Sequence, residues 1–212
     1  MNRLMSALGA GVDRMNRASR HCMAFAVLAV AAQAASASTL NFDGLADGTS
    51  VTTQFSGVTF SNATVLTAGG SLNELDFPPR SGSNVVVDFG GPIELVFGAD
   101  QSFFEAYFTY MAVLTVTGYD AGGVALLAAT SSFGSNLATS GEPGSAPNER
   151  IALSTDGLRR VVIQGSGAGA SFVMDDVTFR PAETAPIPEP STYALLIAGL
   201  GLLGFMSRRR AQ

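Results

Sequence analysis

The chain is 212 residues long, with seventeen acidic residues against twelve basic ones and a formal charge of −5. Every basic residue is an arginine, and there is one histidine, His21, one cysteine, Cys22, and no tryptophan. His21 and Cys22 both lie beside an N-terminal apolar run, so a body freed of that run has no Cys/His dyad, Ser-His-Asp triad, His/Cys zinc site, Schiff-base lysine or disulfide to work with.

Residues 1–37 predict a secretory signal peptide. Arg3, Arg14, Arg17 and Arg20 form a positive leader, and Met23 to Ala32 is an unbroken apolar run. Ala35 and Ala37 then stand in the small-x-small pattern of a cleavage site, which places the mature start near Ser38.

The body, residues 38–180, is rich in Gly, Ser, Thr, Val, Ala and Phe and has no long stretch of helical periodicity. Short apolar runs broken by Gly, Pro, Asn and Asp predict strands at 39–42, 57–60, 64–67, 84–89, 93–97, 103–110, 113–119, 124–130, 150–153, 160–164 and 172–179. Leu114 and Val116 alternate with Thr115 and Thr117, as in a half-solvated strand. Tyr119-Asp120-Ala121-Gly122-Gly123-Val124 predicts a hairpin turn. Strands this short and this numerous predict an all-β fold, an antiparallel jelly-roll-like β-sandwich filled by phenylalanine. Two stretches, 68–83 and 131–149, predict long loops. Arg159-Arg160 predicts a charged strand edge that discourages edge pairing. Phe103-Phe104 and Tyr107-Phe108 are expected in the core.

Residues 38–183 hold fifteen acids against five arginines (Arg80, Arg150, Arg159, Arg160 and Arg180), a balance of −10. That excludes nucleic acid as the natural partner, because phosphates require a basic surface.

Residues 181–187 predict a linker. Pro188-Glu189-Pro190 follows, then the uncharged stretch 191–207, then Arg208-Arg209-Arg210. Seventeen residues make a helix of about 25 Å, at the short limit for a bilayer, so a single C-terminal transmembrane helix is expected. The arginines would stay on the cytoplasmic side. A proline-flanked acid, a short apolar helix and a terminal arginine cluster, in that order, resemble the PEP-CTERM sorting signal of Gram-negative bacteria, here over residues 188–210. The resemblance implies an exosortase as partner, cutting near Pro188, Glu189 and Pro190. It implies a precursor held transiently in the inner membrane, delivery to the cell surface or outside, and an association with exopolysaccharide or biofilm matrix.

Asp175-Asp176 lies in the last predicted strand. Were that strand regular, Asp175 would share a face with Val173, Val177 and Phe179, a costly place for an unpaired carboxylate. Leu40-Asn41-Phe42-Asp43 near the start and Asp175-Asp176-Val177-Thr178-Phe179 at the end resemble jelly-roll domains of PEP-CTERM proteins and carbohydrate-binding modules. In those modules paired terminal strands can carry structural calcium. That resemblance implies Asp43, Asp175 and Asp176 as oxygen ligands of calcium. For sugar binding the body offers Tyr107, Tyr110, Tyr119 and its phenylalanines. Carboxylate pairs such as Glu74 with Asp76, or Glu94 with Glu105, are the sole basis for a hydrolase, and no spacing distinguishes them from turn and face residues. The expected protein is therefore an exported, non-catalytic structural or adhesive β-sandwich. A calcium-dependent carbohydrate-binding module is the alternative, and a secreted hydrolase comes third.

Overall fold

The structure, a computed structural model, describes residues 36–183 and 192–210. The strands are β1 (Ser38–Leu40), β2 (Ser50–Val51), β3 (Val58–Ser61), β4 (Ala63–Thr67), β5 (Asn84–Asp88), β6 (Ile93–Tyr110), β7 (Thr115–Tyr119), β8 (Ala125–Thr130), β9 (Glu149–Gln164) and β10 (Phe172–Pro181); helix α1 is Thr192–Arg210. Ala37 lies directly before β1, whereas Ala35 and the rest of the expected signal peptide lie outside the described residues.

The fold is an antiparallel, sandwich-like sheet in the order β2-β4-β5-β10-β6-β9-β7-β8, with β1 beside β10 and β3 beside β6. The long strands β6 and β9 pair along their whole length. The first half of β6 also pairs with β3 and its second half with β10, while the second half of β9 also pairs with β7. The two long strands thus serve both halves of a sheet that folds over itself. Phe97 of the first half and Phe179 of the second meet at 5.1 Å between ring centres inside it.

Four predicted strands are therefore two. Gly98-Ala99-Asp100 and Asp156-Gly157 look like chain breaks in the sequence, but the ladder runs on through register shifts around Gln101. Gly157 takes a positive φ of 78° there, which glycine adopts without strain. These bends let one strand cross from one half to the other. The same topology corrects the reading of Arg159 and Arg160. β9 lies between β6 and β7, so these arginines are not on an edge. Arg159 donates to Asp100 at 3.0 Å and to the Phe97 carbonyl at 2.9 Å, and Arg160 pairs with Glu94 at 3.5 Å.

Two apolar clusters hold the sheet. The main one includes Phe42, Phe60, Leu95, Phe97, Phe104, Phe108, Leu153, Phe172 and Met174, all buried. A second, of Leu72, Val85, Val87 and Val173, forms where the 68–83 loop lies over the outer side of β5 and β10. It explains why β5, Asn-Val-Val-Val-Asp, is buried along its full length: Val86 belongs to one cluster, Val85 and Val87 to the other. Phe103 and Tyr107 correct the core expectation. They are half-buried, out of step with buried Phe104 and Phe108, as strand alternation requires.

The expected spanning helix is also corrected. No helix among the described residues is long and apolar enough to cross a membrane. Arg208, Arg209 and Arg210 form the last turn of α1, so its uncharged part is Thr192 to Ser207. Sixteen residues span about 24 Å, less than the roughly 30 Å of a bilayer's hydrocarbon core.

Gly118, in the middle of β7, is a packing constraint. A Cβ there would stand 2.5 Å from a methyl of Leu158 and 3.2 Å from a methyl of Leu153, both fully buried. Gly118→Val is expected to cost about 1–3 kcal/mol through overpacking. Urea unfolding of the two proteins measures it, and an unchanged midpoint would contradict the packing described.

Candidate functional site

β10 does not run regularly. Its register against β6 shifts between Asp175 and Thr178, and Asp176 takes a φ of 46°. The bulge changes which side chains share a face. Phe172 and Met174 before it, and Val177 and Phe179 after it, all enter the main core, three residues apart across the irregularity. Asp175 is left on the side of Val173, not of Val177 and Phe179, which corrects the regular-strand expectation.

The Asp175 carboxylate is buried and fully used. Its Oδ2 accepts from the backbone amides of Arg80 and Ser81 at 2.8 and 3.0 Å, and its Oδ1 from the amide of Asp176 at 2.7 Å. Asp176 accepts from the Ser81 hydroxyl at 2.8 Å. Asp43 Oδ1 accepts from the amides of Ser83 and Asn84 at 2.7 and 3.1 Å. Asn84, itself buried, donates to the carbonyls of Phe42 and Leu45 at 2.9 and 2.8 Å. Gly82 fits under Asp43 because it has no side chain: a Cβ would lie 2.0 Å from that carboxylate.

The three acids expected to bind calcium thus converge on one segment, Arg80 to Asn84, Asp43 and Asp175 as acceptors for its backbone amides and Asp176 for the Ser81 hydroxyl. Backbone N–H groups are aimed at both oxygens of Asp175 and at Asp43 Oδ1, and among the described residues no group of three or more acidic, His or Cys side chains is placed to hold a metal ion.

The two long loops meet. Ala138 donates its amide to the Asp76 carbonyl at 3.0 Å, Thr139 its hydroxyl to the Asp76 carboxylate, and Asn148 its side-chain amide to the Pro78 carbonyl at 3.1 Å. Buried Asn136 fixes the second loop to β6, accepting from the Tyr110 amide at 2.6 Å and donating to the Phe108 carbonyl at 2.9 Å. Glu149 accepts from the Tyr110 hydroxyl and from the Ser132 amide and hydroxyl, the latter two at 3.0 and 2.7 Å. Burial and this carboxylate push the Tyr110 hydroxyl up to about 12. The cavity beside Glu149, lined also by Phe133 and Pro147, holds about 270 Å³, just below the usual range of about 300–1,000 Å³ for small-molecule sites.

The body's arginines are all engaged. Arg80 lies over the Tyr107 ring at 4.6 Å, Arg160 over Tyr119 at 4.3 Å and Arg180 over Phe103 at 5.0 Å. Arg150 pairs with Glu105. Of the rings expected to receive sugars, Tyr107, Tyr119 and Phe103 are thus covered by guanidinium groups and Tyr110 is buried, whereas Phe89 is exposed. Of the expected carboxylate pairs, Glu94 and Glu105 are each held by an arginine, and Asp76 by the loop contacts above.

At the other end of the chain, α1 is apolar on every side. Leu196, Ile197, Leu200, Leu202, Leu203, Phe205 and Met206 are all more than half exposed. Its three terminal arginines oppose the negative end of the helix dipole. Pro188, Glu189 and Pro190 lie outside the described residues.

Burial, the largest influence, pushes Asp175 up to about 6 from the ordinary 3.8, and it also raises Asp88, whose Oδ1 accepts from the Ser171 amide at 3.1 Å. A carboxyl group raised by folding binds its proton more tightly in the native state. Its contribution is complete below pH 3.8 and is lost as the pH rises through 6. For Asp175 this amounts to ~3 kcal/mol. Asp175→Asn is expected to remove that part of the pH dependence while the part from Asp88 stays, as urea unfolding across this range would measure; equal slopes in both proteins would refute it. Millimolar calcium is expected to leave the melting temperature of the protein unchanged, which differential scanning calorimetry checks.

No curated protein matches the chain. Among solved structures it is similar to a DUF4465 family protein from Bacteroides caccae, at 11% identity over 72% of this chain and 88% of that one, with a TM-score of 0.38. It is similar also to the CBM22-1 xylan-binding domain of Paenibacillus barcinonensis Xyn10C, at 14% identity over 73% and 100%, TM-score 0.38. A third is the catalytic domain of a GH87 α-1,3-glucanase, at 17% over 66% and 29%, TM-score 0.36. The family model of the PEP-CTERM protein-sorting motif matches residues 186–210, and the chain carries that motif at its C-terminus.

Proposed function

We propose that this is an exported protein whose β-sandwich body is displayed at the cell surface or released, in a non-catalytic structural or adhesive role within an exopolysaccharide matrix. The observation that carries the reading is the sorting motif at residues 186–210. The motif implies processing by an exosortase, with Pro188, Glu189 and Pro190 as substrate. The prolines hold the backbone extended for a protease groove, and Glu189 supplies a charge to read.

A helix apolar on every side needs apolar surroundings. In this reading α1 holds the precursor at the membrane through its apolar sides, with Arg208, Arg209 and Arg210 among the lipid headgroups.

The body supports a non-catalytic role through its charges. Glu94 and Glu105, the acids nominated for hydrolysis, are neutralised by Arg160 and Arg150 on the sheet surface. The unpaired acids give the body a strongly negative surface, which favours solubility outside the cell.

Fractionation with mass spectrometry of the mature termini tests the reading. Wild-type protein is expected outside the inner membrane with a C-terminus near Pro188-Glu189-Pro190. Glu189→Ala, or neutralisation of Arg208, Arg209 and Arg210, is expected to leave intact chain in the membrane fraction. An intact tail on exported wild-type protein would refute sorting by this motif.

A further inference from the structure

From the cavity beside Glu149 we infer a binding site for a primary ammonium group, carried by an amino sugar. The cavity holds about 270 Å³, and Ser132, Phe133, Ala146, Pro147, Asn148 and Glu149 are among the residues that line it.

Glu149 is a carboxylate fixed in place by neutral donors alone. It accepts from the Tyr110 hydroxyl, and from the Ser132 amide and hydroxyl at 3.0 and 2.7 Å. Tyr110 is fully buried, and its hydroxyl, pushed up to about 12, keeps its proton at neutral pH. A carboxylate offers about four acceptor positions, so three donors leave one open. The network orients the charge in advance without neutralising it. No arginine among the described residues pairs with Glu149. Strand register sets Glu149 opposite inward-facing Phe108 and Arg150 opposite outward-facing Tyr107, so the nearest arginine in sequence lies on the other face, paired with Glu105. Arg80, Arg159, Arg160 and Arg180 are held by Tyr107, Asp100, Glu94 and Phe103.

What the site lacks is a positive charge, and this selects the ligand. The 131–149 segment carries Glu142 and Glu149 and no basic residue, within a body whose balance is −10, so the local field draws cations. Half-buried Phe133 and Pro147 exclude part of the water, so the attraction is less screened than on an open face. A hard metal ion would need several oxygen ligands, and no group of three or more acidic side chains is placed to hold one among the described residues. An ammonium group needs one carboxylate and brings three donors of its own. The volume admits one small ring, and Ser132 and Asn148 bring polar groups for its hydroxyls. The choice of a sugar as carrier rests on the matrix role proposed above; the call for a cation does not.

The test is an amide NMR titration of the labelled full chain in a mild non-ionic detergent, with glucosamine, N-acetylglucosamine and lysine amide as probes. Glucosamine is expected to shift the amides of Ser132, Gly144 and Asn148 saturably at millimolar concentrations, and N-acetylglucosamine, the same ring without the charge, to bind at least tenfold more weakly. Glu149→Gln is expected to weaken glucosamine at least tenfold, whereas Glu142→Gln, on the same segment but outside the lining, leaves it unchanged. Should Glu149→Gln fail to fold, Ala146→Arg decides: this exposed position of the lining would supply a competing cation and abolish binding. No saturable shift at tens of millimolar, equal binding of the acetylated sugar, or wild-type affinity in folded Glu149→Gln or Ala146→Arg protein would each overturn the proposal. Lysine amide binding as tightly as glucosamine would overturn the sugar as carrier. Sorting is read separately, from the mature termini, so a failure here and a failure of export are distinguishable.

Discussion

One buried carboxylate organises this body. Asp175 sits where β10 bulges, and its two oxygens satisfy three backbone amides, two of them almost a hundred residues away in sequence. An amide left unpaired in such a place would cost about 1–3 kcal/mol, so the acceptor is the condition for letting the Arg80–Asn84 segment pass beneath the sheet. The bulge also keeps Met174 and Val177 both in the core. With Asp43 gripping the same segment from the first strand's side, chain start, chain end and loop are tied at one point. A charged group was retained in a dry position, and its raised pKa is the measure of that cost.

The arginines follow a second constraint. Five positive side chains serve a body with fifteen acids, and each is engaged locally, three over aromatic rings. Planar guanidinium groups stack on rings while their stems cover apolar sheet surface. This covers Phe103 and Tyr107, which strand alternation forces outward. It also leaves most acids without an arginine partner. The body is therefore negative overall, with uncharged stretches at residues 48–73 and 121–141.

Much of the fold could be read from the sequence because period-two patterning is local. Leu114 and Val116 are buried and Thr115 and Thr117 are not, and Asp120 and Gly123 make the turn their types predict. The missed features are those settled by distant partners. Gly98 and Gly157 read as breaks, yet β6 and β9 support each other through them. The two residues of β2 carry no pattern. Asp175-Asp176 stood out as a carboxylate in the wrong place, and the doublet was a true signal. Its explanation, amides from residues 80 and 81, was invisible because no local spacing connects them. The loop-fixing role of Asn136 is hidden for the same reason. At the tail the motif was readable as a linear string, since a processing enzyme reads extended chain, whereas helix length against bilayer thickness was decided by whether the arginines continue the helix.

The tail and the body answer to different physics, and this bears on how such a chain is built. On the proposed sorting the tail must be apolar, short and basic at its end, requirements set by a membrane and an enzyme and indifferent to the body's sequence. On the proposed export the body folds outside the cytoplasm, and with one cysteine in the chain it does so without an internal disulfide. It does so with phenylalanine packing and with carboxylates that accept backbone amides. Those acids cannot be exchanged for a larger reserve of positive charge without uncovering Asp175 and Asp43 as hydrogen-bond acceptors. Part of the negative balance is thus rooted in the architecture as well as in solubility.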